Sequence, residues 1–156
     1  MEPGIRAATE GDAEQLAAFS LVVWDEAYRG ILDPDALRRR HDEAASVREG
    51  RWAARIADED VLVAFDAQGL AGFARSTRPA FAGVPKLLGL YTRQRSWGSG
   101  LGSRLLARSL PARSAQLWLF DGNVRALRFY ERHGFALDGR RRADPPYGFE
   151  LHMRRR

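Results

Sequence analysis

The chain has 156 residues, enough for one domain (residues 1–156), and 45% of them are apolar, so a core can form without a disulfide or a structural metal. Cysteine is absent, which excludes disulfides, thiolate zinc sites, iron–sulfur clusters and thiol nucleophiles, and the three histidines are too scattered to form a metal site. No apolar run approaches the ~20 residues of a membrane span. The first twelve residues also lack the basic and apolar regions of a signal peptide, so we expect a soluble, cytoplasmic protein without a metal.

The charge is strongly basic and is carried almost entirely by arginine. The net charge is +5 and the pI about 10.4, with 24 arginines and Lys86 as the lone lysine. Such a balance invites a nucleic-acid interpretation, but the arginines are spread along the chain rather than gathered in one segment. Anionic small molecules are at least as plausible as partners.

The amino-terminal part is predicted to form a short edge strand and two helical stretches. Residues 5–8 read as the strand, and Thr9 and Asp12 have capping-box spacing before an amphipathic helix that Gly30 ends. Pro34 opens a second helical stretch, which continues with interruptions to about residue 57. Apolar residues recur at helical spacing in the first helix: Leu16, Phe19, Leu21, Val23, Trp24, Ala27 and Tyr28.

After residue 60 the apolar period changes to that of strands. Strands are predicted at residues 61–65, 70–76, 87–92 and 117–120, and a closing hairpin at 135–141 and 147–154. Helices are predicted from a glycine-rich turn to Pro111, and from Asn123 to about Arg132 with Gly134 as the C′ glycine. The order β-α-α-β-β-β-α-β-α-β-β, with one crossover long enough to be parallel, predicts an α/β domain with a mixed sheet and helices on both faces.

The turn between the fourth strand and its helix is the most informative segment. Three alternate glycines, Gly98, Gly100 and Gly102, leave backbone amides open at a helix N-terminus, which suits an anion such as a phosphate. The turn has no lysine, so it is not a Walker A loop. A dinucleotide fingerprint would need a glycine at Ser103 or Leu105 and therefore fails as well.

The spacing Arg95-x-x-Gly98-x-Gly100 resembles the R/Q-x-x-G-x-G/A signature of the GCN5-related N-acetyltransferase (GNAT) family. Two further segments are similar to that family: Leu90-Tyr91-Thr92 to its fourth strand, and Asn123-x-x-Ala126-x-x-Phe129-Tyr130-x-x-x-Gly134-Phe135 to its second motif. The resemblance covers essentially the whole chain. It implies a sheet of about seven strands that splays between strands four and five.

The resemblance also implies acetyl-CoA as cosubstrate, with its pyrophosphate on the glycine turn and its pantetheine arm beside the fourth strand. The cofactor-binding residues it implies are Leu90, Tyr91, Thr92, Arg95, Trp97, Gly98, Ser99, Gly100, Leu101, Gly102, Ser103, Asn123 and Tyr130. A backbone N–H near Leu90 or Tyr91 would stabilise the oxyanion.

Tyr130 is implied as the catalytic acid that protonates the leaving thiolate. Trp24, Tyr28 and Asp121 are the predicted substrate-binding residues. The general base is open: Lys86 stands where many members carry an acid, so a water chain, Glu26 or Asp121 are the candidates.

These observations predict an acetyl-CoA-dependent N-acetyltransferase acting on a primary amine, either a small molecule or a peptide, with no membrane partner and as a monomer or homodimer. Two alternatives are a catalytically silent CoA sensor of the same fold and a basic nucleic-acid-binding protein.

Overall fold

The computed structural model describes residues 4–79, 82–111 and 113–156, so the first three residues of the segment tested for a signal peptide lie outside it. Seven strands form one sheet: β1 Gly4–Ala7, β2 Asp60–Asp66, β3 Gly69–Ser76, β4 Lys86–Thr92, β5 Ala115–Phe120, β6 Ala136–Asp144 and β7 Gly148–Arg155. The helices are α1 Ala13–Tyr28, α2 Pro34–Arg39, α3 Ala45–Asp58, α4 Leu101–Ser109 and α5 Val124–Arg132. None of the helices described is long and apolar enough to cross a membrane.

The strand order across the sheet is β1-β2-β3-β4-β5-β7-β6. The β4–β5 pair is parallel and the other neighbours are antiparallel, which confirms the predicted mixed α/β fold. The parallel pair is joined through α4, the crossover that the sequence predicted.

Helices cover both faces of the sheet, and successive residues of β3 point to opposite faces. Phe73 packs with Leu16 and Trp52 under α1 and α3. Its neighbour Ala74 packs with Leu101 and Leu105 of α4 on the other side. A second cluster under α4 and α5 holds Leu106, Leu110, Leu117, Tyr130, Phe135 and Met153.

The predicted capping box at the start of α1 is part of a larger polar contact. The Asp12 carboxylate accepts a hydrogen bond from the Thr9 amide at 2.8 Å and two from the Arg6 guanidinium at 2.8 and 2.9 Å. Arg6 and Thr9 lower the pKa of Asp12 to about 2. The contact ties β1 to the start of α1.

The second helical stretch is broken more completely than its sequence pattern indicates. A short 3-10 turn, Arg40–Asp42, separates α2 from α3. Arg40 lies over the Trp24 ring at 3.8 Å, and His41 Nε2 lies 2.8 Å from Asp25 Oδ2. These contacts with α1 stabilise the interruption between α2 and α3. They join residues that are too far apart in sequence for helical periodicity to predict.

Strands β4 and β5 pair only at their first residues. Lys86 faces Gln116 and Leu87 faces Leu117, and beyond these two pairs the strands separate. β4 continues to Thr92 and β5 to Phe120, so a gap opens in the middle of the sheet. This gap is the splay that the family resemblance implied.

Candidate active site

A cleft of about 790 Å³ occupies the gap between β4 and β5. Its walls come from both strands, the glycine turn, α5, α1 and α3. The predicted residues that line it are Trp24, Tyr28, Leu90, Tyr91, Thr92, Trp97, Gly98, Gly100, Gly102, Ser103, Asn123 and Tyr130.

The glycine turn closes one end of the cleft through its backbone conformation. Gly98 and Gly100 have φ of 78° and 90°, in the left-handed region that favours glycine, and Gly100 caps α4. A Cβ at either position would meet no protein atom within 4 Å, so the protein's own packing does not require these glycines. The Leu101 amide donates to Ser99 Oγ, and the amides that follow it in the first turn of α4 have no intrahelical partner and can bind an anion.

The third glycine of the turn has a different role. A Cβ on Gly102 would lie 3.4 Å from the Phe129 ring, so this glycine allows α4 and α5 to approach closely. Beside it, the Ser103 hydroxyl lies 3.0 Å from His133 Nε2, and His133 Nδ1 lies 2.8 Å from the Phe129 carbonyl oxygen. Because a carbonyl only accepts, Nδ1 carries a proton, and in the neutral ring Nε2 accepts from Ser103.

Four predicted site residues do not line the cleft in this structure. Arg95 donates to Asp66 at 3.1 and 3.2 Å and to the Leu70 carbonyl, which fastens the turn to the β2–β3 hairpin. Leu101 is fully buried in the core. Ser99 accepts from the Leu101 amide at 3.3 Å within the turn. Asp121 is 55% exposed and lies 4.0 Å from Arg141.

Tyr130 lies on α5 with its side chain against the core and the cleft. Burial raises the pKa of its phenol well above 10, and the nearby Tyr91 adds to the effect while Arg125 opposes it. No residue among those described accepts a hydrogen bond from its hydroxyl. The phenol is therefore protonated at neutral pH and has a proton to give.

Aromatic side chains form the wall on the α1 side. The Tyr28 and Tyr91 hydroxyls lie 2.7 Å apart, and burial raises the pKa of both phenols. The Trp24 ring contacts Tyr28, Phe120 and Tyr147 edge-on, with centroids 4.8, 5.9 and 5.3 Å apart. The predicted pair Trp24 and Tyr28 thus packs as one cluster with residues of β4, β5 and the β6–β7 turn.

Sequence reasoning missed most of the charged lining. Six arginines face the cleft (Arg40, Arg55, Arg75, Arg125, Arg128 and Arg132), together with two acids (Asp144 and Glu150). The three arginines of α5 recur at i, i+3 and i+7, a helical face that the sequence could have revealed. The others come from three separate elements, and only the sheet order brings them together.

The candidates for a general base differ in their access to the cleft. Glu26 accepts from Arg93 at 2.9 Å and from the Gln94 amide at 3.1 Å, and it lines an adjoining cavity of about 450 Å³ that shares Trp97, Asn123 and Arg125 with the cleft. Lys86 lies in the paired part of β4. Glu150 of β7, which sequence reasoning missed, lines the main cleft, and its Oε1 accepts a hydrogen bond from Arg142 Nε at 2.8 Å.

Comparison with known proteins identifies the family. A sequence model described as the acetyltransferase (GNAT) domain matches residues 57–137, just over half of the chain. The chain belongs to the GNAT acetyltransferase family. This GNAT chain is also 31% identical over 149 residues to the probable N-acetyltransferase Rv2775 of Mycobacterium tuberculosis, across 87% of the chain and 81% of that protein.

Solved structures resemble this GNAT protein along nearly all of its length. The PaiA N-acetyltransferase of Thermoplasma acidophilum, in complex with coenzyme A, aligns with a TM-score of 0.75 at 21% identity, covering 97% of this chain and 98% of that one. A GCN5-related N-acetyltransferase of Rhodopseudomonas palustris aligns with a TM-score of 0.76 at 19% identity, covering 99% and 96%. At these identities the likeness concerns the fold.

Proposed function

We propose that the protein transfers an acetyl group from acetyl-CoA to a primary amine by direct attack on the thioester. The observation that carries this proposal is the separation of β4 and β5 after two paired residues, with the glycine turn at one end of the resulting cleft. The family membership and the coenzyme A complex of the Thermoplasma relative support the same cosubstrate.

The cleft fits the two ends of the cosubstrate. The open space above Gly98 and Gly100 and the free amides of α4 suit the pyrophosphate. Beyond Leu87 the edge of β4 that faces β5 has no strand partner, so backbone groups on that edge near Leu90 can hydrogen-bond the amides of the pantetheine arm as a neighbouring strand would. Arg125, Arg128 and Arg132 line the same end and would neutralise phosphate charge.

Arg125 also stacks over the Trp97 ring at 3.6 Å. Burial lowers the pKa of this guanidinium, which a neighbouring phosphate would offset. We therefore add Arg125 to the residues that hold the cosubstrate.

Three groups of the chain would carry the chemistry. A backbone N–H at Leu90 or Tyr91 donates to the thioester oxygen as negative charge develops on it. Tyr130 donates its phenolic proton to the departing sulfur. Glu150 accepts the proton of the attacking amine, directly or through water, since its hydrogen bond with Arg142 uses Oε1 and its carboxylate faces the cleft.

A panel of primary amines tests the proposal, with acetyl-CoA as donor and free thiol release as the signal. We expect at least one amine to raise thiol release above the rate without amine. Glu150→Gln should lower kcat for that amine without changing the affinity for acetyl-CoA. Glu14→Gln serves as the matched control, because Glu14 is exposed on α1 and lines neither cavity.

Two other results would contradict the proposal in different ways. If acetyl-CoA raises the melting temperature but no amine is acetylated, the protein is a CoA-binding sensor. If acetyl-CoA at millimolar concentration leaves the melting temperature unchanged, the cleft does not bind the cosubstrate.

A further inference from the structure

Three arginines line the cleft on the face covered by α1 and α3, the side opposite to α4 and α5. They are Arg40 at the helix break, Arg55 of α3 and Arg75 of β3. Arg75 reaches the floor of the cleft, because a Cβ added to Gly89 of β4 would lie 3.6 Å from its Nη1. The aromatic cluster and Glu150 lie on this same face of the cleft. If the cosubstrate binds at the glycine turn and α5, the amine must enter from the face covered by α1 and α3.

The three guanidinium groups differ in how they are compensated. Arg75 forms two hydrogen bonds with the Glu59 carboxylate, at 2.7 and 2.8 Å. Within the described residues, neither Arg40 nor Arg55 has a carboxylate oxygen within 4.0 Å. Four nearby acids are engaged elsewhere: Glu59 with Arg75, Asp25 with His41, Glu43 with Arg51 and Glu150 with Arg142; Asp144 also lines the cleft.

Arg40 is held in position while one of its nitrogens stays unsatisfied. The guanidinium carbon lies 3.8 Å from the centre of the Trp24 ring, and the Nη1 atom is buried without a hydrogen-bond partner. Stacking fixes the plane of the group, Tyr147 interacts with part of it, and Arg40 lines the cleft, where a guanidinium can bind a planar anion.

Arg55 is the second uncompensated cation. It lies over the Trp52 ring at 5.1 Å, and burial lowers its pKa to about 10, with the like charge of Arg75 adding to the effect. A pair of positive charges also repels an ammonium ion. The six arginines of the cleft outnumber its two acids, so an amine substrate that brings negative charge of its own is favoured.

We propose that the acceptor is a primary amine that carries an oxyacid anion, a carboxylate or a phosphonate, which Arg40 and Arg55 bind while the amine points toward Glu150. This inference rests on the proposed acetyl transfer, which it deepens by naming the substrate class. It excludes simple polyamines and neutral amines as preferred acceptors.

Matched acceptors test the inference directly. The assay compares kcat/KM for four kinds of acceptor of equal length: amines that bear a carboxylate, the matching carboxamides, the matching phosphonates and a diamine. We expect kcat/KM for at least one anionic acceptor to exceed that for its carboxamide by about 10- to 100-fold, as is typical when a hydrogen-bonded charge is lost. Comparing kcat/KM for the carboxylate and phosphonate acceptors identifies which oxyacid the arginines bind.

Substitution of the arginines provides the second arm. Arg40→Gln and Arg55→Gln should each raise KM for the anionic acceptor by about 10-fold or more, with little change for the carboxamide. Arg38→Gln is the matched control, because Arg38 is exposed, pairs with Asp35 and does not line the cleft. The rise in melting temperature with acetyl-CoA checks that each variant still folds and binds the cosubstrate.

The outcomes separate this inference from the proposed function. Equal or better turnover of carboxamides and diamines would overturn the inference while leaving acetyl transfer in place. If no amine is acetylated, calorimetric titration with the carboxylate and phosphonate compounds still decides: binding that Arg40→Gln removes supports the anion site, and no binding overturns it.

Discussion

Tyr130 is the residue whose proton the proposed reaction consumes. Tyr130→Phe keeps the ring and its packing, so the fold should persist, while the hydrogen bond to the departing sulfur is lost only in the transition state. We expect kcat to fall by roughly 10- to 100-fold, the lower end for a general acid, since a thiolate is a good leaving group. Steady-state kinetics with an accepted amine measures this change.

The pH dependence gives Tyr130 a second test. Because burial raises the pKa of the phenol well above 10, it stays protonated at pH 7 to 9, and no loss of rate in that range should come from its ionisation. Wild type and Tyr130→Phe should therefore show pH–rate profiles of the same shape at different heights. A wild-type rate in the variant, with chemistry rate-limiting, would make Tyr130 a packing residue.

Asp12 stabilises the fold through its depressed pKa. The folded value of about 2 lies below the ordinary value, so the stabilisation is full above about pH 4 and is lost as pH falls toward 2. Asp12→Asn should lower the free energy of unfolding by about 1–2 kcal/mol near neutral pH. Urea unfolding should show this difference shrinking in acid, and a gap that stays constant with pH would contradict the assignment.

Single residues were the least predictable part of the site. Trp24 and Tyr28 could be assigned to the substrate site and Tyr91 to the cosubstrate, because a helical turn and a family motif carry them. Arg40, Arg55 and Glu150 could not, because each contributes one charged side chain from a different element. Charged residues in helices and strands are usually solvated, and only the tertiary arrangement shows that these three line one cleft.

At the scale of elements, the glycine turn and the start of α4 are the anion site that we propose. A ligand at 100 times its Kd stabilises the folded state by about 2.7 kcal/mol, which corresponds to a rise of about 5–10 °C in melting temperature for a domain of this size. Gly100→Asp should abolish that rise, because its carboxylate would stand where the pyrophosphate binds. Differential scanning fluorimetry with and without acetyl-CoA measures it.

Gly139→Asp is the matched control for that substitution. Gly139 also has a positive φ, 86°, with no atom within 4 Å of an added Cβ, and it lies on β6 outside the cleft. The strain of the two variants should be similar, so only the response to acetyl-CoA should differ. If both variants keep the full rise, the turn does not hold the pyrophosphate.

The elements themselves were largely predictable, since period-2 and helical patterns, turns and caps all have local causes. The strands fall within a few residues of their predicted ends, except that the closing hairpin is longer. The break at Arg40–Asp42 was only partly foreseen as an interruption, because contacts with α1 produce it. Strand order across the sheet is likewise a tertiary property and was not predicted; the family resemblance implied only the number of strands and the splay between the fourth and fifth.

The whole molecule is basic, yet many of its arginines have acidic partners or line the cleft. We therefore expect nucleic acid to bind weakly, without sequence preference, and with an affinity that falls steeply as salt rises. Fluorescence anisotropy with two unrelated DNA sequences and two RNAs, over a salt series, tests this. Tight binding of one sequence at physiological salt would favour the nucleic-acid alternative.

The gap between β4 and β5 also bears on how fast the protein can work. In the proposed mode of binding, the gap and the glycine turn grip parts of the cosubstrate that the reaction leaves unchanged. Such contacts bind the product coenzyme A as tightly as acetyl-CoA, so they do not accelerate the chemical step. Free coenzyme A should then compete with acetyl-CoA at a similar concentration, and its departure from a widened sheet, rather than acetyl transfer, would limit turnover when the amine is plentiful.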